Sequence, residues 1–521
     1  MNLSKYILIF FLLFADSAYA QVQWVKKSFF DASGGLNDGF AATFIADNEA
    51  QSLENVVFTN NGNFKTRDGF AKLNSSTIGA TVDAVGLKYY QPTSGTKFLV
   101  GVFSDNTIRK MDYQSGGGPD GTWDNITGSL TFVNGVNVFA SFAIGEDTLI
   151  IEDGISTTAP YKWAGSGNAA ALGGSPPNCT MVAYHKRHAF CAGNNSNPST
   201  LYFSDLGDIE DWTGGLSGNV PIETNDGSII RALVPGFDSL YVFKDDSIWR
   251  LSGDDKDNFQ LQRMISDTGT LSKNGAALFG SDIFFISDQG DFYLYDGSVR
   301  LQKLSNKIQG TLDNSNFDRF QYSQVTVFDE DLYASISSIG SSVHDTLMVL
   351  DTFGLAWTKF TGFDANALTV ADDGNGKDVL IFGDYAGFVY QYPEGTDDAG
   401  DAIATNYTTK WYLFPDLSIN KTFEKLYIFA NQAGDYSITV DVSEDFNLTG
   451  ASLTMDINGT SSLWDSATYD VDSYGDQNLI VGELEPNLEG KFFRIKFYNS
   501  GVDEPIEIKG WEIYLDLSDR I

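Results

Sequence analysis

Apolar and polar positions along the middle of this chain fall into a repeated two-strand phrase. In "SLYVFKDDSIWRLSG" (Ser239 to Gly253) a four-residue apolar run is followed by a polar turn, a second aromatic-rich run, and a small polar stop ending in Gly. "DIFFISDQGDFYLYDG" (Asp282 to Gly297) has the same form, and similar phrases begin at Lys97, Asp147, His188, Asp331 and Asp378. Their start-to-start spacings are 50, 41, 51, 43, 49 and 47 residues. A further short run usually precedes each phrase, as in "IRALVPG" (Ile230 to Gly236) and "GAALFGS" (Gly275 to Ser281). Runs of this length, closed by Gly, Asp and Asn, predict strands joined by tight turns.

Three or four short strands restarting every forty to fifty residues predict the blades of a β-propeller. One small sheet cannot bury both of its faces, whereas a ring of sheets stacked face to face buries all of them and exposes little edge. Seven phrases predict about seven blades over residues 81–395, and a count of six to eight fits the spacing. The pattern changes after Tyr392. "PEGTDDAGDA" (Pro393 to Ala402) reads as a linker, and longer strands follow, among them "YSITVDVS" (Tyr436 to Ser443) and "KFFRIKFYN" (Lys491 to Asn499). Their alternation places one face in a core and one in water, so residues 396–521 are expected to form a C-terminal antiparallel β-sandwich of jelly-roll type. The fold class is all-β. Residues 21–80, with the turn-bearing stretch "EAQSLENVVFTNNGNFKTRDGFAKL" (Glu49 to Leu73), read as an N-terminal extension and entry hairpin.

Residues 1–20 have a different pattern. Lys5, the apolar run "YILIFFLLF" (Tyr6 to Phe14) and Ala18-Tyr19-Ala20 make a signal-peptide-like segment with cleavage expected after Ala20. The run is too short to span a bilayer, and the segment points to a secreted or periplasmic protein.

Composition adds charge to this picture. The 521 residues carry a formal charge of −36. Such a surface repels phosphate, which disfavours stable binding of nucleic acid or of anionic membranes. Cys179 and Cys191 are the two cysteines. They form neither a disulfide framework nor a zinc pattern, and the sequence leaves open one hairpin disulfide or two buried thiols.

Candidate chemistry is sparse. The three histidines are His185, His188 and His344. Read on a single strand, the i, i+3 pair His185 and His188 faces opposite ways and shares no metal. Nucleophile elbows, phosphate loops, dinucleotide fingerprints and zinc-protease motifs are missing. "DDGNGKD" (Asp372 to Asp378) departs from a calcium loop and reads as a hairpin turn. "DDKDN" (Asp254 to Asn258) and "DEDL" (Asp329 to Leu332) read as solvated loop tips. "SDLGDIEDW" (Ser204 to Trp212) departs from the Asp-box of sialidases in the positions of its Asp and Trp. A secreted glycoside hydrolase or lyase needs two carboxylates at a fixed separation, and nothing selects such a pair among 69 acids. The expectation is a protein that is not an enzyme, with no catalytic residues, no cofactor and no metal.

Several of these stretches carry a family resemblance in a fixed order. "GGLND" (Gly34 to Asp38), the stretch Glu49 to Leu73 with its Arg-Asp-Gly-Phe ending, and "NPSTLYFSDLGDIEDW" (Asn197 to Trp212) are similar to the tail hub or nozzle (tail stabilisation) proteins of short-tailed double-stranded DNA bacteriophages. The resemblance extends over most of Phe30 to Leu517. It implies a structural virion protein that forms a homo-oligomeric ring, expected to be a hexamer, at the end of the DNA channel and helps retain and release the genome. It also implies a tail adaptor and tail fibre or spike proteins as partners, with double-stranded DNA passing without stable binding. The opening stretch would be the entry hairpin that locks the chain start onto the propeller. The signal-like N-terminus departs from the family, because tails assemble in the host cytoplasm. It keeps alive the alternative of a secreted or periplasmic propeller that binds a glycan or a protein.

Overall fold

The computed structural model describes residues 24–114, 117–414, 417–432, 434–458 and 479–517; the signal-like segment 1–20 lies outside the described residues. Seven four-stranded antiparallel sheets form a seven-bladed propeller. The innermost strands are Ala84–Tyr90, Ser141–Gly145, Met181–His185, Ile230–Pro235, Ala276–Phe279, Val325–Phe328 and Ala367–Asp372. Each packs against the next, and the seventh returns to the first. The second strands are Phe98–Phe103, Thr148–Glu152, His188–Ala192, Ser239–Lys244, Asp282–Ile286, Asp331–Ile336 and Asp378–Gly383. These are the first halves of the repeated phrases. A second strand has a sheet neighbour on each edge and a blade on each face, so it reads as an unbroken apolar run; all six residues of Phe98–Phe103 are buried.

The ring closes without a covalent link. The seventh blade takes three strands from residues 367–392 and its fourth, Ala71–Lys72, from near the start of the chain. The N-terminal extension and entry hairpin expected over 21–80 are built into both parts, a blade and a sandwich. Two seven-stranded sheets pack as a sandwich, and the N-terminal residues supply strands to both. Trp24–Phe29, Val56–Phe58 and Phe64–Thr66 join Lys421–Asn431 and Glu507–Asp516 in one sheet; Gly35–Leu36 and Glu49–Glu54 join Thr405–Thr409 and Phe492–Asn499 in the other. The hairpin of residues 56–66 thus belongs to a sandwich sheet, and its Val56 carbonyl also accepts the Thr358 hydroxyl of the sixth blade at 2.7 Å. Leu53, Val56 and Phe64 share one core with Tyr407, Phe497, Trp511 and Leu515. The partners lie hundreds of residues downstream, so the local pattern could not reveal them.

The motifs of the opening stretch form the weld between the two parts. Gly35 has φ +78°, and a Cβ there would lie 2.7 Å from the Trp357 backbone nitrogen, in the outermost strand of the sixth blade (Ala356–Thr361). Only Gly permits that approach. Asp38 and Gly39 donate their N–H groups to the Lys307 carbonyl, and the Asp38 carboxylate accepts the Thr311 hydroxyl at 2.6 Å. Those partners belong to the short helical segment between the fifth and sixth blades (Ser305–Ile308 and Gln309–Asp313).

Arg67 is the centre of the weld. Its side chain is fully buried. Nη1 and Nη2 grip Asp398 at 2.8 and 2.6 Å, Nε donates to Asn55 at 2.9 Å, and the remaining N–H groups reach the Asp68 and Thr361 carbonyls. All five donors are used, which is what a buried guanidinium requires. The guanidinium also lies 4.6 Å from the Phe363 ring centroid. Next to it, a Cβ on Gly69 would fall 1.9 Å from the Asp397 carbonyl, and Phe70 packs edge-on to Phe363, Phe382 and Tyr390.

Candidate functional site

The seven innermost strands enclose a central channel with a cavity of about 580 Å³. Its wall is mainly apolar side chains and strand backbone, and its charged lining residues are Lys88 and Lys273. One end of this channel, where the innermost strands begin, carries the crossovers between blades. Loops from opposite sides of the ring meet there. Lys273, before the fifth blade, donates from Nζ to the Phe139 carbonyl at 2.8 Å, before the second blade. Arg319 and Tyr322, before the sixth blade, reach the same loop: the guanidinium donates to Asn137 Oδ1 at 3.3 Å, and the Tyr322 ring lies 6.0 Å from that of Phe139. The crossover mouth is bridged rather than open. A second cavity of about 530 Å³ lies beside these bridges.

Under the bridge sits a buried charged trio. Glu152 ends the second strand of the second blade and Asp153 follows it, and both are fully buried. Asp153 Oδ1 accepts the Ile155 N–H at 2.9 Å and the Thr158 hydroxyl at 2.6 Å. Glu152 Oε1 and Asp153 Oδ2 have no protein donor. Burial, with the adjacent Asp153 carboxylate, holds the Glu152 carboxyl well above the usual carboxylate range. A proton on Glu152 would give both orphaned oxygens a partner. Burial also brings the Lys273 ammonium down to about 8, against the attraction of the two acids. A protonated carboxyl beside a second acid and a depressed lysine resembles general acid–base machinery. Here neither carboxyl reaches solvent, so no substrate can touch them in this state.

This carboxyl pair gives a pH prediction. A carboxyl whose folded pKa is raised favours folding below its unfolded value near 4.5, and that contribution is lost as pH rises through the folded value. Glu152→Gln mimics the protonated form. Its melting midpoint is expected to gain on wild type as pH increases from 5 to 8, with no gain at pH 4. A parallel pair of pH profiles would show that the proton on Glu152 is not needed.

The sequence-flagged residues are scattered. His185 and His188 are register partners across the two-residue turn Lys186-Arg187, both at positive φ. Such a turn sets the two histidines opposite one another on one face, so the single-strand reading of opposed faces is corrected. No group of three or more His, Cys, Asp or Glu able to hold a metal occurs among the described residues. Burial lowers His185 to about 4. His188 donates from Nδ1 to the Ser204 carbonyl at 2.6 Å. His344 is buried, brought down to about 3 by desolvation, and its Nδ1 shares a hydrogen bond of 2.9 Å with the Tyr385 hydroxyl. Cys179 and Cys191 form a disulfide. Asp205 and Asp211 of the Ser204 to Trp212 stretch cap local backbone N–H groups, and Asp373 caps the hairpin turn 372–378. The trio under the bridge was missed by sequence reading. Its one local trace is an adjacent Glu-Asp pair at the end of the apolar run "TLIIED".

No protein-family model matches the chain, and no curated protein matches it. Solved structures with similar folds include the one described as YCF48 bound to D1 peptide, at 12% identity and TM-score 0.39, covering 61% of this chain and 95% of that one. The N-terminal domain of Nup159 is similar at 12% identity and TM-score 0.40, covering 65% and 98%. YCF48 from Cyanidioschyzon merolae is similar at 10% identity and TM-score 0.37, covering 62% and 98%. Identity this low extends to the propeller fold alone.

Proposed function

We propose that this chain is a non-catalytic structural subunit of the tail of a short-tailed phage, a hub or nozzle protein that closes with its own copies into a ring at the DNA exit. The observation that carries this reading is the position of the resembling motifs. Gly34 to Asp38 and Arg67 to Phe70 build the weld between propeller and sandwich. Their order in the sequence is therefore the order of a two-part architecture, and not that of a propeller in general. A closed ring needs two different surfaces on each subunit, meeting head to tail. A propeller with a sandwich at its rim offers two such surfaces, and leaves others for an adaptor and for fibre or spike proteins. DNA in this reading passes through the space the ring encloses, expected to be that of a hexamer. It does not pass through the channel of any one propeller, whose crossover mouth is bridged. Mass spectrometry of purified virions should find the chain in several copies per particle.

One observation favours a second reading, a secreted or periplasmic propeller that binds a glycan or a protein. The Cys179–Cys191 disulfide suits an oxidising compartment, as does the signal-like segment 1–20. Recovery from periplasm or medium as a monomer starting at Gln21, and absence from particles, would put this reading in place of the first.

The tail reading carries a prediction about DNA. With a net charge of −36, repulsion acts over a Debye length of about 10 Å at 0.1 M salt. Purified protein should not retard duplex DNA in a gel at low or moderate salt. A tight complex that weakens as salt rises would contradict it.

A further inference from the structure

Lys88 lies in the innermost strand of the first blade, within "AVGLKYY", and lines the central channel. Its ammonium has no hydrogen-bond or ion-pair partner among the described residues. The other lysine of the channel wall, Lys273, is already engaged by the Phe139 carbonyl and by the field of Glu152 and Asp153. The chain holds 69 acidic residues against 33 Lys and Arg, yet no Asp or Glu lines this cavity. The sign of the charge is thus inverted between the outer surface and the channel.

A half-buried ammonium with no counter-charge in the surrounding wall is costly to keep ionised. Burial accordingly pulls the Lys88 pKa below the ordinary lysine range. The chain has not placed a carboxylate opposite it. The innermost strand of each blade is a sheet edge whose outward backbone N–H groups no strand pairs, and Thr326 adds a hydroxyl to the wall. These are donors of the kind that bind anions. The bridged crossover mouth leaves the opposite end of the channel as the way in for a guest.

We infer that the propeller channel is a binding site for a small inorganic anion, a halide or an oxyanion of phosphate or sulfate size, held by the unpaired ammonium of Lys88. The anion supplies the counter-charge that the wall lacks and ties the seven inner strands together from within. The inference does not depend on the tail reading, since a secreted propeller would need the same counter-charge.

The test uses the full chain. Crystals soaked in sodium bromide should show an anomalous peak beside Lys88 Nζ, and crystals grown with phosphate should show tetrahedral density there. Crystals of Lys88→Met should show neither. In solution, phosphate or bromide should raise the wild-type melting midpoint by about 2 °C or more at constant ionic strength, and should leave Lys88→Met unmoved. Only water beside Lys88 in both soaks would overturn the inference. So would an anion peak or an anion-dependent midpoint that persists in Lys88→Met. If Lys88→Met fails to fold, the density in wild-type crystals decides the matter alone.

Discussion

Replacing Arg67 by Ala should destabilise the protein by about 3–5 kcal/mol, the cost of breaking one side of a buried ion pair. The loss is large because the change leaves more than a hole. Asp398, 7% exposed, would keep a buried charge with no cation. Asn55 Oδ1 and the Asp68 and Thr361 carbonyls would each lose a donor. Phe363 would lose the guanidinium stacked on it. Arg67→Lys keeps the charge but has three donors on a flexible stem, so it cannot repeat the two-pronged grip on Asp398; it should fall between wild type and Ala. Removing both charges with Arg67→Met and Asp398→Leu should recover much of the loss, because the unpaired charge causes most of it. The location of the damage matters as much as its size. Limited proteolysis of Arg67→Ala should open the segments 67–73 and 393–402 first, at the junction of propeller and sandwich. A variant that melts like wild type and shows no new cleavage there would remove Arg67 from the centre of the weld.

The second strands of the blades were legible because they are buried on both faces, so each writes itself as a continuous apolar run. The seven phrase starts all fall at or within one residue of these strands. The weld was half legible. Arg-Asp-Gly-Phe stood out as a motif, but its meaning rests on Asp398 and Thr361, about three hundred residues away. Nothing in a local window links them. The histidine pair was misjudged for a related reason. Strand periodicity was applied across a turn, and two residues at positive φ reverse the chain between His185 and His188. Lys88 had a visible signal, a lone cation inside an otherwise apolar strand. Its significance appears only when the walls contributed by the other six blades prove to carry no acid. The bridged mouth had no signal, because Asn137, Phe139, Lys273 and Arg319 are ordinary loop residues until the ring brings them together.

A chain cut at residue 81 follows the boundary the sequence suggests, and it should not fold. The cut removes Ala71–Lys72, the fourth strand of the seventh blade, and leaves Val389–Tyr392 as an open edge where the ring should close. It removes five strands from the sandwich, three from one sheet and two from the other. Thr405–Thr409 loses the neighbour at Glu49–Glu54, and Glu507–Asp516 loses Trp24–Phe29 and Phe64–Thr66. Tyr407 and Trp511, fully buried in the intact chain, lose the rings of Phe64 and Phe29 that stack on them. Uncovered aromatic surface beside unpaired strand edges favours aggregation. Residues 81–521 are therefore expected in the insoluble fraction, or as a soluble species without a cooperative melting transition. Supplying residues 21–80 as a separate chain in the same cells should restore some soluble complex, because the missing strands pair through hydrogen bonds and packing and need no covalent link to residue 81. If residues 81–521 alone are soluble and melt with the midpoint of the intact chain, then the N-terminal strands are ornaments on a self-sufficient propeller and sandwich, and the shared-strand architecture is not what holds the two parts together.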